Sequence, residues 1–283
     1  MKRFLFLLLA ILMGACQEES RQASSTRVTI LPSSLSEGLS ESIFQSLTWV
    51  ALYGTDRLIG NVSQIKVFSD TLFIHAYDPS SCLYGYSLST GKLLLDICQQ
   101  GEGPGEYTSV WDFDYQLEQN QIVLLDRTQK KLHYFDLDGQ FLRSKDHPSY
   151  FYASSFISLP NGNFLFYCRN QNPESMKHLV EWDPEEDKVA NEYLDIDPVQ
   201  RYFLNFRNPP NFHVFNGKIF FTKVFDPYLY VVHPGVEVFP SRKIDYGSYS
   251  LPEELLNQPY ADVREFMTHI RKTDYAFDTT SIN

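Results

Sequence analysis

The sequence predicts an all-β fold, a β-propeller of four-stranded blades with a short helical insertion near its C-terminal end. Three observations predict it: a repeat close to fifty residues, hairpins rich in aromatic and β-branched residues, and an aromatic content of 15% that includes 18 Tyr and 22 Phe. Length alone, 283 residues, allows one large domain or two smaller ones, so the repeat decides.

The repeat is visible when four segments are stacked. "CLYGYSLSTGKLLLDI" (82–97), "KLHYFDLDGQFLRSK" (131–145), "HLVEWDPEEDKVANEY" (178–193) and "LYVVHPGVEVFPSRK" (229–243) each read as a strand, a polar turn and a second strand. Aligning Tyr86, Phe135, Trp182 and Val232 gives spacings of 49, 47 and 50 residues. Two further strands precede each hairpin: "QIKVFS" and "TLFIHAY", "SVWDFDYQ" and "QIVLLDR", "FISLP" and "NFLFYC", "FHVFN" and "KIFFTKV". Ile122 and Leu124 alternate with Val123 and Leu125, so both faces of that strand are apolar, as in a sheet held between two others. A generic β-sandwich is the alternative, and regular spacing through four units argues against it.

The N-terminal residues read as an export signal. Lys2 and Arg3 precede an apolar run from Phe4 to Met13, then Gly14 and Ala15 lead to Cys16; the run is too short to span a bilayer. "LMGAC" resembles a bacterial lipobox, which implies cleavage after residue 15 and a lipid on Cys16, with Met13 where Leu is commoner. Several acyl chains would anchor the protein stably, at about 0.8 kcal/mol per buried methylene. Residues 16–42 then form the lipidated cysteine and a flexible Ser-, Glu- and Gln-rich tether, and 43–283 the propeller domain. Glu18 and Glu19 resemble the acidic tag that follows the lipidated cysteine in surface-exported Bacteroides lipoproteins, implying an outer-membrane protein at the cell surface, with a periplasm-facing one as the alternative.

Net charge is −11, and −13 once Lys2 and Arg3 leave with the signal. Such a field repels nucleic acid, so no nucleic-acid partner is expected.

"LTWVALYGTDRLIGNVSQIKV", "QGEGPGEY" and "LLDRTQKKLHYFDLDGQFL" resemble the six-bladed β-propeller lipoproteins of Bacteroides and relatives, in which a Gly-x-Gly-Pro-Gly-Glu-Tyr turn precedes the second blade. The similarity runs over roughly residues 45 to 280 and implies fold and location rather than activity. The family carries a helical insertion before its fifth blade. Here "SLPEELLNQPYADVREFMTHIRKTDYAF" fits helices over about 251–271, broken near Pro259, with Ser250 as the cap of a helix starting at Pro252. About four blades precede it, so an incomplete ring is expected, and the strand at 47–54 would otherwise pair with the last blade. Truncation, a smaller or open ring, and closure by self-association with a second chain all stay open.

The glycine-rich "CQQGEGPGEY" raises the question of a phosphate loop. Glu106 and Tyr107 stand where a Lys and a helix would be needed, and Glu102 would repel an anion. Gly101, Gly103, Pro104 and Gly105 therefore read as a sharp turn from one blade to the next. Glu102, Glu106, Tyr107 and Arg127 are the candidate ligand residues on the face where such loops gather, with an Asp126–Arg127 surface pair as the plainer reading.

Cys82 and Cys98 flank the "STG" turn, and residues paired across it should have numbers summing to 180, which places the two side chains opposite each other. A disulfide and two buried thiols both remain open; Cys168 reads as core. The histidines show no zinc spacing. A calcium site of the propeller-lactonase type could draw on Asp112, Asp114 and Asn211, whose plainer reading is hydrogen bonding at strand ends. No Gly-x-Ser-x-Gly nucleophile motif occurs, and no cofactor other than that Ca2+ is expected. The leading expectation is a membrane-anchored, non-catalytic binding or scaffold module for a glycan, peptide or envelope protein. The rivals are a metal-dependent hydrolase or lyase and a truncated product without function.

Overall fold

The computed structural model describes residues 26–29, 48–77, 80–147, 152–170, 175–202, 210–271 and 275. The expected signal sequence, Cys16 and most of the expected tether lie outside them. Four antiparallel four-stranded meanders follow one another. Blade one is β2 (Val62–Phe68), β3 (Thr71–Ala76), β4 (Cys82–Ser87) and β5 (Leu93–Ile97); blade two is β6 (Asp112–Gln116), β7 (Gln121–Asp126), β8 (Lys131–Asp136) and β9 (Phe141–Asp146). Blade three is β10 (Ser155–Ser158), β11 (Phe164–Tyr167), β12 (Lys177–Asp183) and β13 (Lys188–Asp195). Blade four is β14 (Phe212–Phe215), β15 (Lys218–Phe221), β16 (Tyr228–His233) and β17 (Glu237–Asp245). The blades are arranged as in a propeller, and the four aligned residues Tyr86, Phe135, Trp182 and Val232 all lie on third strands.

The core lies between blades. Ile122 and Leu124 of β7 pack with Phe73, Leu83 and Leu95 of blade one, while Val123 and Leu125 pack with Phe156, Phe164 and Phe166 of blade three. A further cluster, with Leu165, Leu179, Phe221 and Tyr230 among its members, joins blades three and four. Glu181, 1% exposed, accepts hydrogen bonds from Asn163, Asn191, Tyr193 and the Gly235 N–H, so one carboxylate also ties the third blade to the fourth. Burial alone would raise its pKa; these donors outweigh that and lower it.

Three local expectations are corrected. The stretch assigned to the flexible tether supplies β1 (Thr26–Thr29), which pairs in parallel with β17 and makes blade four five-stranded. Its sequence, Thr-Arg-Val-Thr, is suited to a strand, and it covers an edge that would otherwise present unpaired backbone groups. The strand expected at 47–54, which would pair with the last blade only in a complete ring and otherwise lack a partner, meets blade one at Tyr53: the Tyr53 N–H donates to Gly91 O at 3.0 Å and the Leu93 N–H to Tyr53 O at 2.9 Å. Gly91 permits this approach, since a Cβ there would lie 2.0 Å from Ala51 O.

Ser250 does not cap a helix. Its Oγ accepts the Tyr246 N–H, and α1 (Glu253–Leu256) starts after Pro252 without a side-chain cap. The capped helix is α2 (Val263–Ile270): Asp262 accepts the Glu265 N–H at 2.9 Å, and Glu265 reaches back to the Ala261 N–H at 2.7 Å.

Candidate functional site

In an up-and-down meander the turn between second and third strands lies at the same end as the connection to the next blade. The glycine loop between β5 and β6, the β15–β16 turn and the helices after β17 therefore share one rim.

In the glycine loop, the Tyr107 N–H donates to Gln99 O and the Gly101 N–H to Tyr107 O, which closes a tight turn. The Glu106 carboxylate folds inward and accepts the Gly103 N–H at 2.8 Å. A Cβ on Gly101 would sit 2.0 Å from that carboxylate, and Gly105 adopts φ +81° beside Phe141, so these glycines are required by geometry. Tyr107 is fully buried, and its hydroxyl donates toward Ser81 O at 2.6 Å and Ile97 O at 3.0 Å. Burial, reinforced by Asp96, pushes that phenol well above its usual range. The structure thus makes Tyr107 a brace between blades, and of the two loop glutamates leaves only Glu102 exposed.

Asp126, also fully buried, accepts the N–H groups of Thr108, Thr128 and Gln129 at 2.6, 2.8 and 3.0 Å, fastening the loop to its own turn. The Arg127 guanidinium lies 3.9 Å from the centroid of the Trp111 ring. Asp126 is a buried loop anchor rather than half of a surface pair. Cys82 and Cys98 form a disulfide with Cα atoms 4.5 Å apart. The adjacent pairs Leu83–Ile97 and Tyr84–Asp96 follow the same register sum.

Asp112, Asp114 and Asn211 stand on or beside first strands, where they join neighbouring blades. Asp112 accepts from Gln64 Nε2 and Lys66 Nζ of blade one, both at 2.9 Å, and from the Phe156 N–H of blade three, also at 2.9 Å. Asp114 accepts the Ser158 N–H at 2.7 Å, and burial pushes its pKa up. Ser155 donates to Asn211 Oδ1 at 3.0 Å. Among the described residues no three His, Cys, Asp or Glu side chains converge as a metal would require.

A concavity lies elsewhere on the shared rim. A cleft of about 560 Å3 opens at blade four, lined by residues of β1, the β15–β16 turn, β16, β17, α1 and the connection after blade three. Its floor is built by "KVFDPYLY". Asp226 accepts the Tyr228 N–H and the Tyr230 hydroxyl, both at 2.9 Å, and pairs with Lys223 at 2.6 Å. This knot holds Tyr228 and Tyr230, two residues apart, on one face of the strand. Phe225 takes the left-handed conformation at φ +61° and is held edge-on by Phe266 of α2, with centroids 5.1 Å apart. The helical insertion thus positions an aromatic residue of the cleft and supplies part of its wall.

Lys243 of β17 stands opposite both Tyr228 and Arg27, and its ammonium lies 5.7 Å from the centre of the Tyr228 ring. Arg27 Nε donates to Asp245 Oδ2 at 2.9 Å. Arg27 and the Gly247 N–H hold the Asp245 carboxyl below its usual range. Sequence reading missed this site because its lining comes from segments as distant as 27 and 257; the one local signal was the aromatic cluster at 225–230.

Several solved structures resemble this chain. A Bacteroides fragilis protein named as exported matches with a TM-score of 0.71 at 22% identity, over 88% of this chain and 69% of its own. A member of the duf4221 family from Bacteroides vulgatus matches with a TM-score of 0.44 at 10% identity, over 66% of this chain and 59% of its own. A protein of unknown function from Bacteroides caccae gives 0.40 at 12% identity, over 64% of this chain and 66% of its own. No curated protein matches the sequence. The family model that matches covers residues 33–277, and the chain belongs to that family, described as a domain of unknown function, DUF4934.

Proposed function

We propose that this chain is an exported, lipid-anchored propeller of the six-bladed lipoprotein class that binds a glycan in the blade-four cleft without transforming it. The cleft carries the reading. Its volume of about 560 Å3 falls within the usual range for small-ligand sites. Tyr228 is half-buried and leaves ring area for the apolar face of a sugar, while Gln200, Ser250 and Asn257 can meet its hydroxyls.

A binding role also suits the carboxylates. Asp226 and Asp245 each have a cation and backbone N–H partners, whereas glycoside hydrolysis needs carboxyls free to donate a proton or attack. Export and anchoring rest on the signal-like start and Cys16, and the Bacteroides fragilis neighbour, named as exported, is in keeping with them. A glycan array probed with the detergent-solubilised full chain tests the proposal. At least one glycan should bind, and Tyr228→Ala should weaken it tenfold or more. An array without signal, or binding indifferent to that substitution, removes the reading and leaves peptide or envelope-protein partners to be tried.

A further inference from the structure

The cations of the cleft are not equivalently placed. Lys223 is paired with Asp226, and Arg27 with Asp245. Among the described residues Lys243 has no carboxylate partner; its one close neighbour of note is the Tyr228 ring. The remaining cleft carboxylate, Glu253, is exposed in the first turn of α1, where it favours the helix start.

Strand register sharpens the point. Arg27, Lys243 and Tyr228 are directly aligned on three neighbouring strands, so all three project from one face of the sheet. Arg27 is compensated by Asp245, so Lys243 is the cation of this row that has no carboxylate partner among the described residues. A protein of net charge −11 places Arg27 and Lys243 side by side at the wall of this cleft, next to an aromatic ring. An anion beside Lys243 would supply the counter-charge it lacks, and a sugar ring carrying that anion would lie against Tyr228.

We propose that the cleft is selective for an acidic saccharide, a pyranose ring bearing a carboxylate or a sulfate ester, with Lys243 as the residue that reads the negative charge and Arg27 its neighbour from β1. The proposal rests on the glycan reading of the cleft and adds the charge of the ligand to it.

The test is calorimetric titration of the detergent-solubilised full chain with two pairs of probes. Tetragalacturonate is compared with its methyl ester, and sulfated maltotetraose with maltotetraose, so each pair differs in charge on the same rings. At least one charged probe should bind tenfold or more tightly than its neutral partner, and the difference should shrink with added salt. Lys243→Gln should abolish that preference and Lys243→Arg should keep it, with both variants melting like the wild type. The pair that responds distinguishes carboxylate from sulfate. Equal binding of charged and neutral probes, or a preference that survives Lys243→Gln, overturns the acidic-ligand inference while leaving the glycan site standing. Binding of none of the four overturns the inference by itself, and an array with no signal would remove the glycan reading as well.

Discussion

The Asp112 carboxylate accepts the Phe156 N–H at 2.9 Å and so bridges the first strands of blades two and three. Its other oxygen accepts from Gln64 and Lys66 of blade one, so a single side chain joins three blades. Asp112→Ala would leave Lys66, whose side chain is 14% exposed, without its counter-charge and would orphan the Phe156 N–H. The expected loss is about 3–5 kcal/mol, read from the urea midpoint of unfolding. A loss below about 1 kcal/mol would show that the blades hold together by apolar packing alone.

Acid should weaken the fold through two histidines before most carboxylates protonate. Burial lowers His147 to about 4 and His178 to about 3, from 6.5. Their folded pKa values lie below the unfolded one, so their contribution is complete above about pH 6.5 and is lost as pH falls from there toward about 4. Within that window each group costs about 1.4 kcal/mol per pH unit. His147→Phe, which keeps a ring against Phe166, should reduce the slope of stability between pH 6 and pH 4.5, as measured by denaturant titration at each pH. An unchanged slope would mean that His147 takes up its proton in the folded state.

Gly101 and Glu106 should behave as a coupled pair. A methyl group at Gly101 meets the Glu106 carboxylate, so Gly101→Ala expels that side chain and releases the Gly103 N–H, at a cost of about 1–3 kcal/mol. Glu106→Ala removes the obstacle, and the double variant should be more stable than the sum of the two single effects predicts. Strict additivity in thermal melts would refute this packing.

Thiol labelling separates the cysteines. Alkylation of the folded chain without reductant should miss Cys82 and Cys98, and mild reduction should yield two newly reactive thiols. Cys168 is buried, which pushes its thiol up to about 12, and it should react only after unfolding. Rapid labelling of Cys168 in the native protein would show that the interface between blades two and three opens readily.

Phe266→Ala tests the role of the helical insertion. Removing a fully buried ring should cost about 3–5 kcal/mol and free Phe225 from its edge-on contact. If the insertion shapes the cleft, glycan binding should fall under conditions where the variant remains folded by circular dichroism. Undiminished binding would confine α2 to a stabilising role.

The blades were legible in the sequence because their signal is local. Alternation in β7 correctly assigns Ile122 and Leu124 to one neighbouring blade and Val123 and Leu125 to the other. The register sum across the "STG" turn was readable for the same reason, since one tight turn fixes the pairing on both sides. Less was legible where partners are distant. β1 is four residues in a polar stretch, and only its meeting with β17, more than two hundred residues later, makes it a strand. Asp126 read as half of a surface pair, and Asp112 as a carboxylate hydrogen-bonded at a strand end, but which N–H groups they meet was hidden, because sequence does not reveal the distant backbone a buried acid will reach. The cleft was hidden altogether, since its aromatic residues and its cations become neighbours only when β1, β16 and β17 align.

The docking of β1 has a geometric consequence. If Cys16 carries the proposed lipid, only nine residues, ten backbone steps, separate it from Thr26, the first residue of a strand fixed to blade four. Fully extended, that leash reaches at most about 36 Å. Because Arg27 is part of the cleft wall, such an anchor would hold that rim within a short distance of the bilayer. Molecules confined to the layer just outside the membrane would therefore meet the cleft at far higher local concentration than molecules free in the medium, and the anchor itself would act as a filter on what the protein encounters.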